Sequence, residues 1–298
     1  MNGRHSGSGW FARKEGIIVT AAHIFDRRDV GVEVVSPGRG RLPCSLLAID
    51  CGHDIAILKT RSPAGDFSVL AFASAPLHVG DEILQFGAPL FRAGVLQPGR
   101  VTRPDTMFEF YPDRKVYAEV IHVSAMMQPG TSGGPWLDQA GAVIGLQSGL
   151  MSLEGKPLGI AFLAPAGPIR ALLETLRDAE TPDAGFWVDH LWERDSEFLR
   201  KLPAGAEGLV ISGVRNDGPA ARADIQPGDL VVAVEGKKVI RIRELIGIIR
   251  AKKPGEQIRL TLARAGSDGA WQRTLTLDRA EAALAQPPPG TRPDGVPK

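Results

Sequence analysis

Short apolar runs separated by turn residues fill the first half of the chain. They run WFARKEG (10–16), IIVTAAH (17–23), VGVEVVSPGRG (30–40), CSLLAID (44–50), DIAILK (54–59), GDEILQFGAP (80–89), VYAEVIHVS (116–124) and AVIGLQSG (142–149). This spacing over Gly9 to Ile160 predicts an antiparallel barrel or sandwich. The first helical pattern comes late. Pro168 suits a first turn, Ile169, Leu172, Leu173 and Leu176 recur at helical spacing, and Thr181-Pro182-Asp183 stops the pattern. A domain boundary is therefore expected near Glu180.

Beyond it, strand-like segments GLVISGV, DLVVAVEG, QIRLTLAR and WQRTLTLD alternate with helical stretches at Pro219 to Ala223 and about Arg243 to Ala251, the pattern of a compact α+β module. The expected domains are 1–180 and 181–282. Residues 283–298, ending in QPPPGTRPDGVPK, have little to bury and are expected to be a disordered tail.

Composition supports a β-rich reading. The 298 residues are 43% hydrophobic but only 6% aromatic, so the cores must be built from Val, Ile, Leu and Ala. Lys and Arg number 35 against 34 Asp and Glu, and the net charge of +1 offers no field for a polyanion. Nucleic acid is not an expected partner. No apolar run approaches the roughly 18 residues of a bilayer span, and Met1 to Lys14 lacks the apolar centre of a secretory signal, so the chain reads as soluble. Cys44 and Cys51 flank an extended segment that would hold their Cα atoms roughly 20 Å apart, which predicts two free thiols. Cys44, Cys51 and His53 match no common zinc spacing, and neither metal nor cofactor is expected.

The strongest chemical signal is Gly130-Thr131-Ser132-Gly133-Gly134-Pro135. A serine hydroxyl needs a base and a set of donors for the oxyanion that forms, and flanking glycines let backbone N–H groups turn into one small hole. Its competing reading is a glycine-rich turn with an incidental serine. His23 ends an apolar strand at Thr20-Ala21-Ala22-His23, and Asp54 opens another at Asp54-Ile55-Ala56-Ile57-Leu58. Taken singly, one could be a half-buried histidine and the other a turn aspartate. G-T-S-G-G also fits the G-x-S-x-G of α/β-hydrolases. That fold needs a helix after the serine and then an acid and a histidine in that order, whereas Pro135 and another strand follow here.

With His, Asp and Ser in that order at the edges of apolar strands, the sequence resembles the trypsin-like serine peptidases, specifically the HtrA/Deg-like branch. Gly7-Ser8-Gly9, TAAH, DIAIL, VGDEILQFGAP, GTSGGP, AGAVIGLQSG and GIAFLAP carry the resemblance. In the second unit, GPAARADIQPGDLVVAVEGKKV resembles a PDZ domain. The resemblance implies a mainly β fold, a chymotrypsin-like double β-barrel followed by an α+β PDZ-like domain. It makes His23 the general base, Asp54 its orienter, Ser132 the nucleophile, and the amides of Gly130 and Ser132 the oxyanion hole. Met126 stands where enzymes that cleave after Lys or Arg carry an acid, and Leu150 would line the S1 wall, implying small or medium apolar P1 residues. A peptide would add as a strand beside Phe186, Trp187 and Val188, with the helix at 243–251 as the other wall.

The expected function is thus an endopeptidase of unfolded or misfolded polypeptides, regulated through a peptide-binding PDZ domain that orders a loop spanning roughly 125–131 and 147–155. The rival is a non-catalytic holdase with a degenerate barrel. Three positions depart from the family pattern: Thr131 replaces asparagine, Asp224 replaces a glycine, and Trp187 stands where a glycine exposes N–H groups to a terminal carboxylate. With six residues before Gly7, the first barrel strand is expected to be missing and the true start to lie upstream. That would place the protein in the cell envelope or periplasm, and otherwise in the soluble cytoplasm. The resemblance also implies a homotrimer.

Overall fold

The computed structural model describes residues 6–280, apart from 26, 29–30, 62–66, 203–204 and 265–268. The expected tail lies outside the described residues. The chain divides into two compact units, one running to Met107 with Ala118–Ala179 added, the other made of Phe108–Tyr117 and Glu180–Ala282.

The first unit opens with β1 (Trp10–Arg13), β2 (Ile17–Ala21), β3 (Val32–Ser36), β4 (Gly40–Asp50) and β5 (Ile55–Thr60), which form one sheet in the order β1-β2-β5-β4-β3. Its edges are β1 and β3. Interior strands read as nearly continuous apolar runs because both of their faces are covered, and every residue of β2 is buried. Cys44, within β4, and Cys51, just past its end, are both buried free thiols, as the extended segment between them predicts. Burial pushes the Cys44 thiol above its ordinary pKa, against weaker opposing effects of the Thr60 hydrogen bond, a Val34 backbone bond and the Arg61 charge.

A closed barrel follows, built from β6 (Glu82–Gly87), β7 (Val95–Tyr111), β8 (Val116–Ser124), β9 (Pro135–Leu137), β10 (Val143–Leu153) and β11 (Lys156–Pro165) in the order β10-β11-β8-β7-β6-β9. Ile83, Val101, Ile121, Val123, Trp136 and Leu163 fill its interior. The longest strand, β7, is not among those predicted, because Pro98, Gly99 and Pro104 read as breakers. Pro98 nevertheless sits in the ladder opposite Leu84. Helix α1 (Ala166–Thr175) buries Ile169, Leu172 and Leu173 against a core that also contains Val19, Ile55, Ile57 and Leu146. Each such side chain contributes roughly 1.5–3 kcal/mol when fully buried.

In the second unit β12 (Pro182–Asp183) pairs with β19 (Asp278–Arg279). The main sheet runs β13 (Phe186–His190), β14 (Leu209–Val214), β15 (Asp229–Val234), β17 (Gln257–Arg264) and β18 (Trp271–Thr276), with the short β16 (Lys237–Lys238) paired to β15. Helices α2 (Ser196–Arg200), α3 (Pro219–Arg222) and α4 (Ile242–Arg250) complete it, and α4 buries Leu245, Ile246 and Ile249. Asp229 is fully buried but paired, accepting from Arg264 Nε at 2.6 Å and from the Gln226 amide at 3.0 Å. Asp224, in the position where a glycine was expected, is left-handed (φ 56°), a region aspartate visits at modest cost.

Trp136 is fully buried, and its Nε1 donates to Gln147 Oε1 at 3.0 Å. Replacing it with alanine should destabilise the first unit by about 3–5 kcal/mol, seen as a lower urea midpoint for that unit's transition.

Candidate active site

The site is built around Asp54. It sits just ahead of β5 in a left-handed conformation (φ 57°), and its side chain is 4% exposed. Its two oxygens receive different donors. Oδ1 accepts from the His23 amide at 2.7 Å, while Oδ2 lies 2.7 Å from His23 Nδ1 and accepts from the Ser148 hydroxyl at 2.5 Å. The Asp54 carbonyl in turn accepts from the Ala22 amide at 3.0 Å. Burial alone would raise the carboxyl's pKa. The His23 charge, the bonds from the His23 ring and amide and the one from Ser148 outweigh it and hold the carboxyl below the ordinary carboxylate range. A carboxylate bound to Nδ1 leaves Nε2 as the ring nitrogen able to accept a proton.

Ser132 is set against the histidine strand by backbone contacts. The next residue, Gly133, has φ 84°, and a Cβ there would fall 2.4 Å from Ser8 O and Thr20 Oγ1 and 2.6 Å from Ala21 N. Only glycine allows that approach. The Gly133 amide donates to Gln147 O at 2.6 Å, so the strand that caps Asp54 through Ser148 also holds the residue after Ser132.

Two neighbouring carbonyls are anchored as well. Pro129 O accepts from Leu90 N at 3.0 Å and Thr131 O from Gly134 N at 2.9 Å. In a trans peptide the N–H points opposite to the C=O, so the Gly130 and Ser132 amides face away from these anchors. Neither has an acceptor among the described residues, and the Ser132 hydroxyl makes no hydrogen bond among them. Such bonds commonly tighten only when substrate is bound.

Of the other candidates, Met126 is 59% exposed, and its Sδ would lie 3.7 Å from a Cβ on Gly159. Leu150 is half-buried, packs against the barrel core, and pairs with Ala161 on β11. In the second unit Phe186 and Val188 are buried, and Trp187 stacks on Phe110 with ring centroids 5.2 Å apart. The Val188 backbone is already engaged: its amide donates to the Tyr117 hydroxyl at 3.0 Å, which lies 3.4 Å from the Val188 carbonyl. Burial pushes the Tyr117 hydroxyl's pKa well up, keeping it protonated and able to donate. No group of side chains suited to a metal ion occurs among the described residues.

Ser8 and Ser148 lie in segments that carry the family resemblance but have no role of their own predicted from sequence, and Tyr117 is not among the predicted residues. Ser148 carries one usable signal, a polar pair with Gln147 inside an apolar strand, both buried. Tyr117 carries another, since Phe108, Phe110, Tyr111 and Tyr117 crowd one hairpin of a chain poor in aromatics.

Comparison with known proteins follows the same division. The family model of the trypsin-like peptidase domain matches residues 7–146, and that of the PDZ domain matches 176–274. The "probable periplasmic serine endoprotease DegP-like" of Brucella suis biovar 1 is 29% identical over 260 residues, covering 87% of this chain and 50% of that protein. Its namesake in Pseudomonas fulva is 27% identical over 271 residues, covering 88% and 53%. The chain thus spans about half the length of the curated relatives it matches.

Among solved structures, the HtrA-type protease AlgW with a decapeptide superposes with a TM-score of 0.65 at 22% identity, covering 95% of this chain and 83% of that one. The serine endoprotease from Yersinia pestis gives 0.58 at 22% identity, covering 92% and 88%. The fold is that of a trypsin-like peptidase domain followed by a PDZ domain. The proteins it resembles across both units are DegP-like serine endoproteases and HtrA-type proteases.

Asp54 titrates lower in the fold than in the unfolded chain, so its ion pairing stabilises above the unfolded pKa of about 3.9 and is lost as pH falls through the folded value. Thermal unfolding of the first unit should therefore lose midpoint steeply below about pH 4, and more shallowly in Asp54→Asn.

Proposed function

We propose that the chain is a serine endopeptidase that cleaves unfolded or misfolded polypeptides after small or medium apolar residues and is regulated through its PDZ domain. The observation that carries this reading is the buried Asp54 carboxylate holding the Nδ1 of His23, in the turn just after the strand that packs against the Ser132 loop. Ser132 Oγ attacks the scissile carbonyl while His23 Nε2 takes its proton, and Asp54 stabilises the imidazolium. The amides of Gly130 and Ser132 receive the oxyanion. His23 then protonates the leaving amine, and water, activated by the same imidazole, hydrolyses the acyl-enzyme. With Met126 and Leu150 along S1, an apolar P1 side chain finds partners there and a basic one does not.

A fluorophosphonate probe should label the folded wild type and leave Ser132→Ala unlabelled. Turnover of an unfolded protein substrate should fall about 10⁴-fold in Asp54→Asn, the size of loss seen when a triad aspartate is replaced by its amide. Absence of labelling in the folded wild type, with unfolded polypeptide still bound, would support the holdase instead.

For the second unit we infer that peptide adds as a strand beside Phe186, Trp187 and Val188, in the groove bordered by α4. The AlgW structure with a decapeptide, together with the PDZ-domain match, supports peptide binding. Here the peptide must displace the Tyr117 hydroxyl from Val188. Arg250 of α4, which donates to the Tyr117 carbonyl, would be released at the same time. Tyr117→Phe keeps the ring and removes the competing bonds. Its affinity for a decapeptide with an apolar C-terminus, read by fluorescence anisotropy, should rise about fivefold. An unchanged or weaker affinity would count against displacement.

A further inference from the structure

The Gly7-Ser8-Gly9 segment joins the two halves of the candidate site, and Ser8 is its hub. The Ser8 amide donates to the Ser132 carbonyl at 2.7 Å, and its own carbonyl accepts from Thr20 Oγ1 at 2.7 Å. Its hydroxyl donates to the Gly130 carbonyl at 2.7 Å and accepts from the Ala88 amide at 2.9 Å. One half-buried residue thus holds the carbonyls of both residues whose amides face the reaction, and ties them to the strand that leads into His23.

Its flanks admit no side chain. A Cβ on Gly7 would lie 2.3 Å from Ile24 Cδ1 and 2.7 Å from Ser132 O, and one on Gly9 would lie 2.7 Å from Val19 O. The segment is wedged between the histidine strand and the serine loop.

We propose that Ser8 is a positioning residue for the oxyanion hole. The inference rests on the reading of Ser132 as nucleophile. The Gly130–Thr131 peptide plane is held at its carbonyl end by Ser8 Oγ, and the preceding plane by Leu90 N on Pro129 O. Through its acceptor lone pair, the same hydroxyl secures Ala88 N, so the 88–90 segment and the 129–130 segment are locked together. Without the hydroxyl, the Gly130 carbonyl and the Ala88 amide both lose their partner. The 130–132 turn can then rotate its amides away from the developing charge. Because this preorganisation is felt most where charge develops, the loss falls on the chemical step rather than on substrate binding.

The test uses the full chain with a fluorogenic peptide of apolar P1. Ser8→Ala should lower kcat by about 10- to 100-fold, with KM within about twofold of wild type. Fluorophosphonate labelling should slow in parallel. Ser8→Thr, which keeps the hydroxyl, should recover most of the rate, and Ser6→Ala should behave as wild type. Amide hydrogen exchange of the same variants should show faster exchange at Ala88 and Leu90, with the amides of β5 unchanged.

Unchanged kcat together with unchanged exchange at Ala88 would overturn the proposal. So would a rise in KM alone, or a loss of protection spread through the whole unit. If the wild type neither labels nor turns over, the peptidase reading has failed, and the exchange at Ala88 and Leu90 still decides whether Ser8 positions the loop. Should Ser8→Ala not fold, Ser8→Cys, of similar size and with a weak donor and acceptor, carries the same comparison.

Discussion

One carboxylate sealed from water organises the first unit. Asp54 heads a strand whose next residues, Ile55, Ala56 and Ile57, are fully buried, so its charge has no solvent to fall back on. An unpaired ion there would cost several kcal/mol. The fold meets that demand by bringing three donors from two separate segments to its two oxygens: the amide and ring of His23 and the hydroxyl of Ser148. Satisfying the ion fixes where β2 ends, how β5 begins and which face of β10 turns inward. The same bonds orient an imidazole that remains 28% exposed at its side chain. On the proposed peptidase reading, stability and chemistry share one set of hydrogen bonds.

The serine loop is governed by a different constraint, the close approach of backbones. At Gly133 a Cβ would fall 2.6 Å from the Ala21 amide, and at Gly130 (φ 97°) a Cβ would fall 2.9 Å from the Ala88 carbonyl. Side chains are excluded, so the loop's shape is set by carbonyls held from outside it by Leu90 N, Ser8 and, for Gly134 O, the Gln147 amide. A loop anchored by its carbonyls presents its amides outward without reorganisation, which is what stabilising a developing oxyanion requires.

This division explains what the sequence reveals and what it hides. The mainly β fold with a trypsin-like domain and a PDZ domain is legible, because alternation, turn residues and motif order all point the same way. The imidazole and carboxylate are legible because a charged or titratable residue at the end of an apolar strand is costly and therefore conspicuous. Ser148 and Ser8 are not. Their segments stand out as family motifs, but the role of each serine is hidden, because it lies in partners about a hundred residues distant, at Asp54 and Gly130. Strand β7 is hidden for a local reason. Its prolines and glycine argue against a strand, yet the ladder accommodates Pro98 opposite Leu84 and the strand continues on both sides of it.

The second unit faces the opposite problem from the first. On the proposed reading, an edge strand that receives a peptide must keep backbone donors and acceptors available, yet unsatisfied groups beside a buried core are destabilising and invite unwanted pairing. Tyr117 resolves this with a single hydroxyl, which can accept from the Val188 amide and donate to its carbonyl while the ring joins the same core as Leu245 and Ile249. A full strand would cap the edge through many bonds and be hard to remove. One hydroxyl caps one residue, so the edge is protected at rest and the cost of opening it is about that of two ordinary hydrogen bonds, within reach of what an incoming peptide backbone restores.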